Sequence, residues 1–310
     1  DYILSQVRKL RKSIQNYDQP FAFKQAADLY NILLKPIEGL LEGKSTLYIY
    51  GSDLIDLPLG VLLSNYSDLV DLDSNYEKLT KANWLIKDYS FARIFPINNK
   101  IINSAFDKKF LGFANPSSIN ILGLDPLPNT ESEIRDLALS SKEFSSSFLF
   151  TKSDASKNNL KKSLQSSFER IVFATHSLPA YWNGISNQNS LVLADQGGDF
   201  LLSPTEIINL KINSDIVVLS SCNNDNGGSD SLYKAFLVAG SNSVMYSNWE
   251  LETISAAQIT DEVFKSMLFD DAPKHIALQN ASIKLMNDYS NRIYAHPGFW
   301  GNFSIAYRTL

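Results

Sequence analysis

ERIVFATH (169–176) and DIVVLSSC (215–222) are the two apolar segments that decide the predicted fold. Each is a continuous run rich in β-branched residues, which is typical of a strand buried on both faces of a sheet. From residue 130 onward, segments with helical apolar spacing alternate with further strand-like segments, among them SFLFT (147–151) and SNSVMYSN (241–248). This alternation predicts an α/β fold in which a mostly parallel sheet is covered by helices on both faces.

Capping residues mark the start of two predicted helices in this region. Thr130 with Glu133 three residues later has the spacing of a capping box, which predicts a helix over 130–142. Asp154 is a candidate cap for the next helix, which runs through Leu164.

The first part of the chain has a different pattern. Apolar residues at intervals of three and four predict a pair of N-terminal helices, and TLYIYGSDLIDLP (46–58) predicts two short strands. Pro, Gly and Asn gather at 116–129, which we interpret as a seam. We therefore divide the chain into an N-terminal helical segment (1–45), a smaller α/β subdomain (46–129) and a larger α/β part (130–310).

Composition excludes several classes of protein. Hydrophobic residues make up 44% of the 310 residues, as in an ordinary globular protein. Lys and Arg number 28 against 33 Asp and Glu, which gives a formal net charge of −5. Because no bulk positive charge would attract a phosphate backbone, we do not expect nucleic acid to be a direct partner.

Cellular location is predicted from the single cysteine and from hydropathy. One Cys cannot form an internal disulfide, so nothing indicates an oxidising compartment. No stretch approaches the roughly 18 apolar residues that span a bilayer, and the first residues lack the apolar core of a signal peptide. We therefore expect a cytoplasmic protein without membrane contact. The first residue is Asp and not Met, which fits a fragment of a longer chain with partner-binding modules.

Cys222 and His176 each end one of the two buried strands. The carboxyl ends of parallel strands meet at one edge of a sheet, which is where sites form. The two residues are 46 positions apart, which leaves room for a strand and a helix between adjacent strands. A thiol becomes a nucleophile when a base or an imidazolium lies beside it. Spacing alone leaves two interpretations of Cys222, a catalytic nucleophile with His176 as base or a small core residue.

A longer series of motifs carries a family resemblance. In chain order the segments are LYIYGSDLIDLPLGVLL, FLGFANP, LPNTESEIRDLA, RIVFATHS, NSLVLAD, SPTEIINLKINSDIVVLSSCNNDNG, SLYKAFLVAGSNSVMYSNWELE and HPGFWGNFSIAY. They resemble the motifs of CHAT domains, caspase-like (clan CD) cysteine peptidases that are often fused to tetratricopeptide repeats. The resemblance covers about residues 45–310. It implies that 46–129 is the non-catalytic part of a CHAT domain and 130–310 its catalytic caspase-like part.

The resemblance also implies roles for individual residues. Cys222 resembles the family's nucleophile and His176 its general base. The backbone N–H groups of Ser177 and Cys222 correspond to the oxyanion hole, which stabilises the tetrahedral intermediate with preorganised donors. The imidazole would be oriented by a backbone carbonyl, so that the catalytic unit is a Cys-His dyad.

Two departures from the family pattern have consequences. Ser177 stands where the family usually has Gly, so a backbone angle that is cheap for Gly would cost more here, with slower or gated turnover. After Cys222 the sequence reads NNDNGG in place of the commoner Glu-Thr-Gly. We expect Gly227 and Gly228 to end a longer loop, one that becomes ordered on activation.

Substrate preference is predicted from polar residues in loops at the same sheet edge. They are Asp154, Asp225, Trp249, Glu250 and Glu252. The acidic residues would favour a basic substrate side chain through charge pairing. Solvated loop acids are the alternative interpretation, and Trp249 is equally compatible with a hydrophobic wall and with the core.

Metal and cofactor chemistry has no support in the sequence. His275 and His296 are predicted to be structural, since neither has metal-ligand spacing with other His or Cys residues. The chain has no Gly-x-Ser-x-Gly elbow, phosphate-binding loop or dinucleotide fingerprint. We therefore expect neither a metal nor a small-molecule cofactor.

The leading functional hypothesis is a thiol protease, a hydrolase that cleaves peptide bonds of a protein substrate through a thioester. The family resemblance adds activation by a partner protein or by a fused N-terminal repeat region, in bacterial defence or cell death. The alternative is a catalytically silent caspase-like module that binds a protein.

Overall fold

The computed structural model describes residues 2–50, 57–97, 106–140, 144–221, 231–250 and 252–308. The chain divides into two compact units, each built from two stretches of sequence. The first unit comprises Asp1–Arg93 and Ile254–Ser304, and the second comprises Ile94–Thr253 and Ile305–Leu310.

Helices occur in both units. In chain order they are α1 (Tyr2–Gln15), α2 (Phe23–Leu33), α3 (Glu38–Leu41), α4 (Asn75–Lys81), α5 (Ile119–Leu122), α6 (Pro128–Ser140), α7 (Lys157–Ser163), α8 (Pro204–Ile208), α9 (Leu232–Ala239), α10 (Thr253–Phe269), α11 (Lys274–Met286) and α12 (Pro297–Trp300). Short 3₁₀ turns lie at Lys35–Ile37, Leu59–Val61, Ser67–Leu69, Leu85–Lys87, Trp182–Gly184 and Arg292–Ala295.

Most strands lie within segments whose apolar pattern predicts a strand. In chain order they are β1 (Thr46–Tyr50), β2 (Ser90–Phe95), β3 (Lys109–Pro116), β4 (Ser146–Lys152), β5 (Phe168–Ala174), β6 (Ser177–Leu178), β7 (Ser190–Val192), β8 (Leu201–Leu202), β9 (Ser214–Leu219), β10 (Ser243–Ser247) and β11 (Phe303–Arg308).

The main sheet of the second unit has the strand order β11-β10-β9-β5-β3-β4. The five strands from β10 to β4 are parallel. Leu219 of β9 pairs with Phe173 of β5 on one side and with Tyr246 of β10 on the other. Because the three strands are parallel and in register, their carboxyl ends lie side by side at one edge of the sheet.

Both faces of this sheet are covered by helices. Residues 111, 171 and 217 point to one face and form a buried core with side chains of α7, α8 and α9, namely Leu111, Ile171, Val217, Leu160, Ile207 and Phe236. The opposite face carries α6, which approaches so closely that a Cβ on Gly112 would lie 3.1 Å from the Cβ of Ile134. The predicted α/β fold with a mostly parallel sheet between two layers of helices is confirmed.

A second, smaller sheet was not predicted. It has the order β6-β7-β8 and is antiparallel, with Ser177 paired to Leu191 and Leu191 to Leu202. Leu178 and Val192 pack against α5. β6 and β8 have two residues each and are too short to show a period of two, whereas β7 lies within SLVLAD (190–195), which has the apolar pattern of a strand.

The first unit is built around a cluster of aromatic side chains. Trp84 is fully buried and its ring lies edge-on to Phe21 and Trp300, with centroid distances of 5.2 Å in both cases. The predicted N-terminal helices are present as α1 and α2, which pack against each other. Residues 254–304 also belong to this unit, and the division into 1–45, 46–129 and 130–310 stays a prediction.

Both capping predictions are wrong. The first helix, α6, begins at Pro128, which presets the helical φ and needs no N–H partner, and the Thr130 hydroxyl donates to Leu127 O at 2.7 Å. Neither carboxyl oxygen of Glu133 has a hydrogen-bond partner among the described residues. The next helix, α7, is capped by Ser156 and not by Asp154, since the Ser156 hydroxyl accepts from Asn159 N at 3.3 Å. Of the second strand predicted within 46–58, residues 51–56 lie outside the described ranges.

The end of α9 generates a prediction about stability. Gly240 has a φ of +126°, and a Cβ at this position would lie 2.2 Å from Ile212 O. We expect Gly240→Ala to lower the free energy of unfolding by about 3 kcal/mol or more, since backbone strain of about 1–2 kcal/mol adds to a clash with the backbone. Urea unfolding at neutral pH measures this change.

Gly198→Ala is the matched control for this substitution. Gly198 also has a positive φ, +91°, but a Cβ there would meet nothing within 4 Å. We expect a loss of about 1 kcal/mol from strain alone. Equal losses of unfolding free energy in the two variants would show that the clash with Ile212 does not destabilise the protein.

Candidate active site

His176 lies two residues beyond the end of β5, at the carboxyl edge of the main sheet. Its ring Nε2 is 2.8 Å from the backbone oxygen of Asp125. A carbonyl oxygen only accepts hydrogen bonds, so in the neutral imidazole Nε2 carries the proton and Nδ1 is left as the basic nitrogen. The backbone of the turn is held by Val192 N, which donates to His176 O at 2.9 Å, and by the Thr175 hydroxyl, which donates to Val192 O at 2.7 Å.

The neighbouring strand β9 leads to Cys222. Ser220 N donates to Phe173 O at 2.9 Å, which extends the pairing of β9 with β5 beyond the end of the strand. On the other side, the Ser247 hydroxyl donates to Ser221 O. Cys222 and Asp225 fall within 222–230, outside the described residues. The structure thus brings the chain that precedes Cys222 beside the strand that precedes His176, while the position of the thiol stays a prediction.

Ser177 is the predicted second contributor to the oxyanion hole. It is buried at the start of β6, where it pairs with Leu191 in an antiparallel ladder. Ser177 is not among the described non-glycine residues with positive φ, which include Asn115 and Tyr181. The backbone strain expected from a side chain at this position is therefore absent.

The predicted substrate-binding residues do not all lie at the same place. Asp154 is exposed in the turn after β4. Since β5 and β3 separate β4 from β9, Asp154 follows a strand about 14 Å from β9 across the sheet. Trp249, Glu250 and Glu252 follow β10, the direct neighbour of β9. Trp249 is only 2% exposed, so its indole is packed in the protein, whereas Glu250 is exposed and Glu252 half-buried.

Glu133 is a residue of this region whose role the sequence analysis missed. It lies on α6 with 7% of its surface exposed. Burial raises the pKa of its carboxyl to about 7, and the adjacent Ser220 hydroxyl opposes the shift only in part. Its position in the sequence could have revealed this burial. Glu133 directly precedes Ile134 on the buried face of α6, where an apolar residue is expected.

The other two histidines are packed side chains of the first unit. His296 Nδ1 accepts from Gly298 N at 3.1 Å at the start of α12, and burial lowers the pKa of the ring to about 4. His275 lies at the start of α11 with its ring 5.7 Å from that of Tyr48, and burial lowers its pKa. Among the described residues, no three His, Cys, Asp or Glu side chains lie together as metal ligands would. No helix in the described ranges is long and apolar enough to cross a membrane.

Solved structures with a similar fold include a cysteine proteinase. The Arg specific cysteine proteinase gingipain R superposes with a TM-score of 0.55 at 11% identity, over 97% of this chain and 75% of that one. A complex of the Porphyromonas gingivalis RgpB pro- and mature domains gives 0.52 at 11% identity, over 97% and 77%. A structure titled only as a protease gives 0.52 at 8% identity, over 91% and 67%. No curated protein matches the chain.

These likenesses place the chain in the class of caspase-like α/β folds, which is the fold of these peptidases. Residues 24–308 match the family described as CHAT domain. The chain therefore belongs to the CHAT domain family, and the resemblance drawn from its motifs is confirmed.

Glu133 generates a prediction about stability and pH. Its carboxyl has a pKa of 4.5 when unperturbed and about 7 when buried. The contribution of Glu133 to the free energy of unfolding is therefore fully present below pH 4.5 and falls as the pH rises to about 7, a loss of about 3 kcal/mol. Glu133→Gln removes the titrating group, so this pH dependence should disappear in the variant. Urea unfolding of both proteins between pH 4.5 and 8 measures the difference.

Asp136→Asn is the control for this comparison. Asp136 lies on the exposed side of the same helix, so its substitution should leave the pH dependence of the wild type unchanged. Parallel stability curves for the wild type and Glu133→Gln would contradict a buried carboxyl that gains its proton on folding.

Proposed function

We propose that the chain is a cysteine endopeptidase in which Cys222 is the nucleophile and His176 the general base. One observation carries this proposal. The imidazole of His176 is anchored through Nε2 at the carboxyl end of β5, beside the end of β9 that continues into Cys222. An oriented base next to the end of a nucleophile-bearing strand is the arrangement that thiol activation requires.

The proposed chemistry begins with transfer of the thiol proton to Nδ1 of His176. The Cys222 sulfur attacks the carbonyl carbon of the peptide bond and forms a C–S bond. The C–N bond then breaks, and the imidazolium returns its proton to the leaving amine. Water, deprotonated by His176, attacks the resulting thioester and releases a carboxylic acid and the free thiol. The Asp125 carbonyl keeps Nε2 protonated throughout, so that Nδ1 is the nitrogen that exchanges protons.

The oxyanion of each tetrahedral intermediate would be stabilised by backbone N–H groups of Ser177 and Cys222. The extended backbone of Ser177 supports this role, because it positions the amide without strain at the start of β6. Donors that are fixed in place before the reaction need no reorganisation and are worth about 3 kcal/mol each.

The proposal extends to the substrate preference of the enzyme and to the control of its activity. Glu250 and Glu252 follow the strand next to β9, which supports a preference for a basic substrate side chain more than Asp154 does. Activation by a partner protein or a fused repeat region, and a cytoplasmic role in bacterial defence, are proposed from family membership alone.

Cleavage of a proteome-derived peptide library tests the proposal. We expect Cys222→Ala and His176→Ala each to lower the cleavage rate by about 10³-fold or more, since either change disables the proton transfer that activates the thiol. Mass spectrometry of the new termini measures the cuts and reveals the preferred residue. Asp136→Asn, on the exposed side of α6, is the control and should cut at the wild-type rate.

Thiol reactivity distinguishes a latent enzyme from a silent binding module. The chain has one cysteine, so alkylation reports on Cys222 alone. In a working dyad the thiol reacts with iodoacetamide at pH 6 faster than a model thiol, and His176→Ala removes this advantage. Slow alkylation of the wild type, together with no cleavage, would favour the protein-binding module and overturn the proposed peptidase.

A further inference from the structure

The carboxyl of Glu133 is buried without hydrogen bonds that would compensate for the loss of water. Both carboxyl oxygens are inaccessible to solvent and lack a hydrogen-bond partner among the described residues. A buried polar group without a partner is costly, and folded proteins pair the large majority of such groups. An apolar side chain of similar size at this position would therefore give a more stable helix contact. Departures of this kind from local rules are concentrated at functional sites.

Charged groups on the elements that pack against α6 are engaged elsewhere. At the ends of β4 and β3, Lys152 lies 3.9 Å from Glu131 and Lys109 lies 2.9 Å from Asp107. Arg170 of β5 lies over the ring of Phe144, and its guanidinium is 3.6 Å from Glu169. His176 is bound to the Asp125 carbonyl, and Glu131 itself accepts from Asn115 at 2.6 Å. None of these described groups neutralises Glu133.

Ser220 is the residue that acts on the Glu133 carboxyl: its hydroxyl lowers the pKa against the larger effect of burial, although the two groups do not meet the geometry of a hydrogen bond. Ser220 follows the last residue of β9, and its backbone N–H is bound to Phe173 of β5. It precedes Cys222 by two positions. Glu133 thus faces the last described turn of chain before the proposed nucleophile, on the face of the sheet opposite the main core.

We propose that Glu133 is a positioning residue for the Cys222 and His176 pair, and that its carboxyl acts by fixing Ser220 at the end of β9. The inference rests on the proposed peptidase function. In its protonated form the carboxyl is neutral, and it can donate a hydrogen bond to the Ser220 hydroxyl and accept one. In its ionised form it places a negative charge next to the strand end, which opposes formation of the Cys222 thiolate.

The test compares four proteins, the wild type and Glu133→Leu, Glu133→Gln and Asp136→Asn. Glu133→Leu fills the same space without a polar group, so it should unfold at an equal or higher urea concentration. Its rates of Cys222 alkylation and of peptide cleavage should nevertheless fall by about tenfold or more, as expected when a catalytic group loses its support. Asp136→Asn should match the wild type in every measurement.

Glu133→Gln separates positioning from simple packing. The amide has the shape and hydrogen-bonding capacity of the protonated acid but does not titrate. We expect it to keep the wild-type alkylation rate within about threefold at pH 6. We expect an inflection near pH 7 in the pH profile of the wild type and none at this pH in the variant.

Each outcome decides the inference. Wild-type rates in a folded Glu133→Leu protein would overturn it while leaving the dyad intact, because the wild-type thiol would still react fast. If Glu133→Leu does not fold, the Gln variant decides: an unchanged inflection near pH 7 overturns the inference and a lost one supports it. A wild-type thiol that reacts no faster than a model thiol overturns the proposed peptidase and this inference together.

Discussion

The candidate active site depends on the parallel pairing of β5 with β9. Phe173 lies opposite Leu219 in this ladder, and the hydrogen bond from Ser220 N to Phe173 O carries the pairing past the last residue of β9. A shift of one residue would turn every side chain of β9 to the other face and would pull the core residues out of contact with α9. Burial of the sheet on both faces therefore fixes the position of the two strand ends as well as the fold.

The strands that position the site could be predicted, because each is a long apolar run with an unambiguous pattern. The starts of β5 and β9 were predicted within one residue, and their ends within three. The side chains that begin α6 and α7 were not predicted correctly. Thr130 and Glu133 have the spacing of a capping box, yet Pro128 begins the helix two residues earlier and tertiary packing buries Glu133.

The site also depends on contacts between residues far apart in the sequence, and these leave no local pattern. His176 is anchored by the carbonyl of Asp125, a residue in an irregular segment 51 positions away, and a backbone acceptor has no sequence signature. Ser177 begins β6, a strand of two residues that is too short for periodicity to detect. Family resemblance supplied the expectation of a carbonyl that orients the imidazole, but the residue that provides it was visible only in the folded chain.

Ser177 shows that the effect of a departure from a family pattern depends on the backbone conformation and on the space around the side chain. A serine in place of glycine costs free energy only where the backbone takes a positive φ or where another atom occupies the space of the Cβ. Ser177 has an extended backbone, and its side chain is accommodated in a buried position next to β7. The serine therefore gives no physical reason for the slower or gated turnover that was predicted from it. A free-energy cost in this region lies instead at Glu133 of α6, where a buried carboxyl has no hydrogen-bond partner among the described residues.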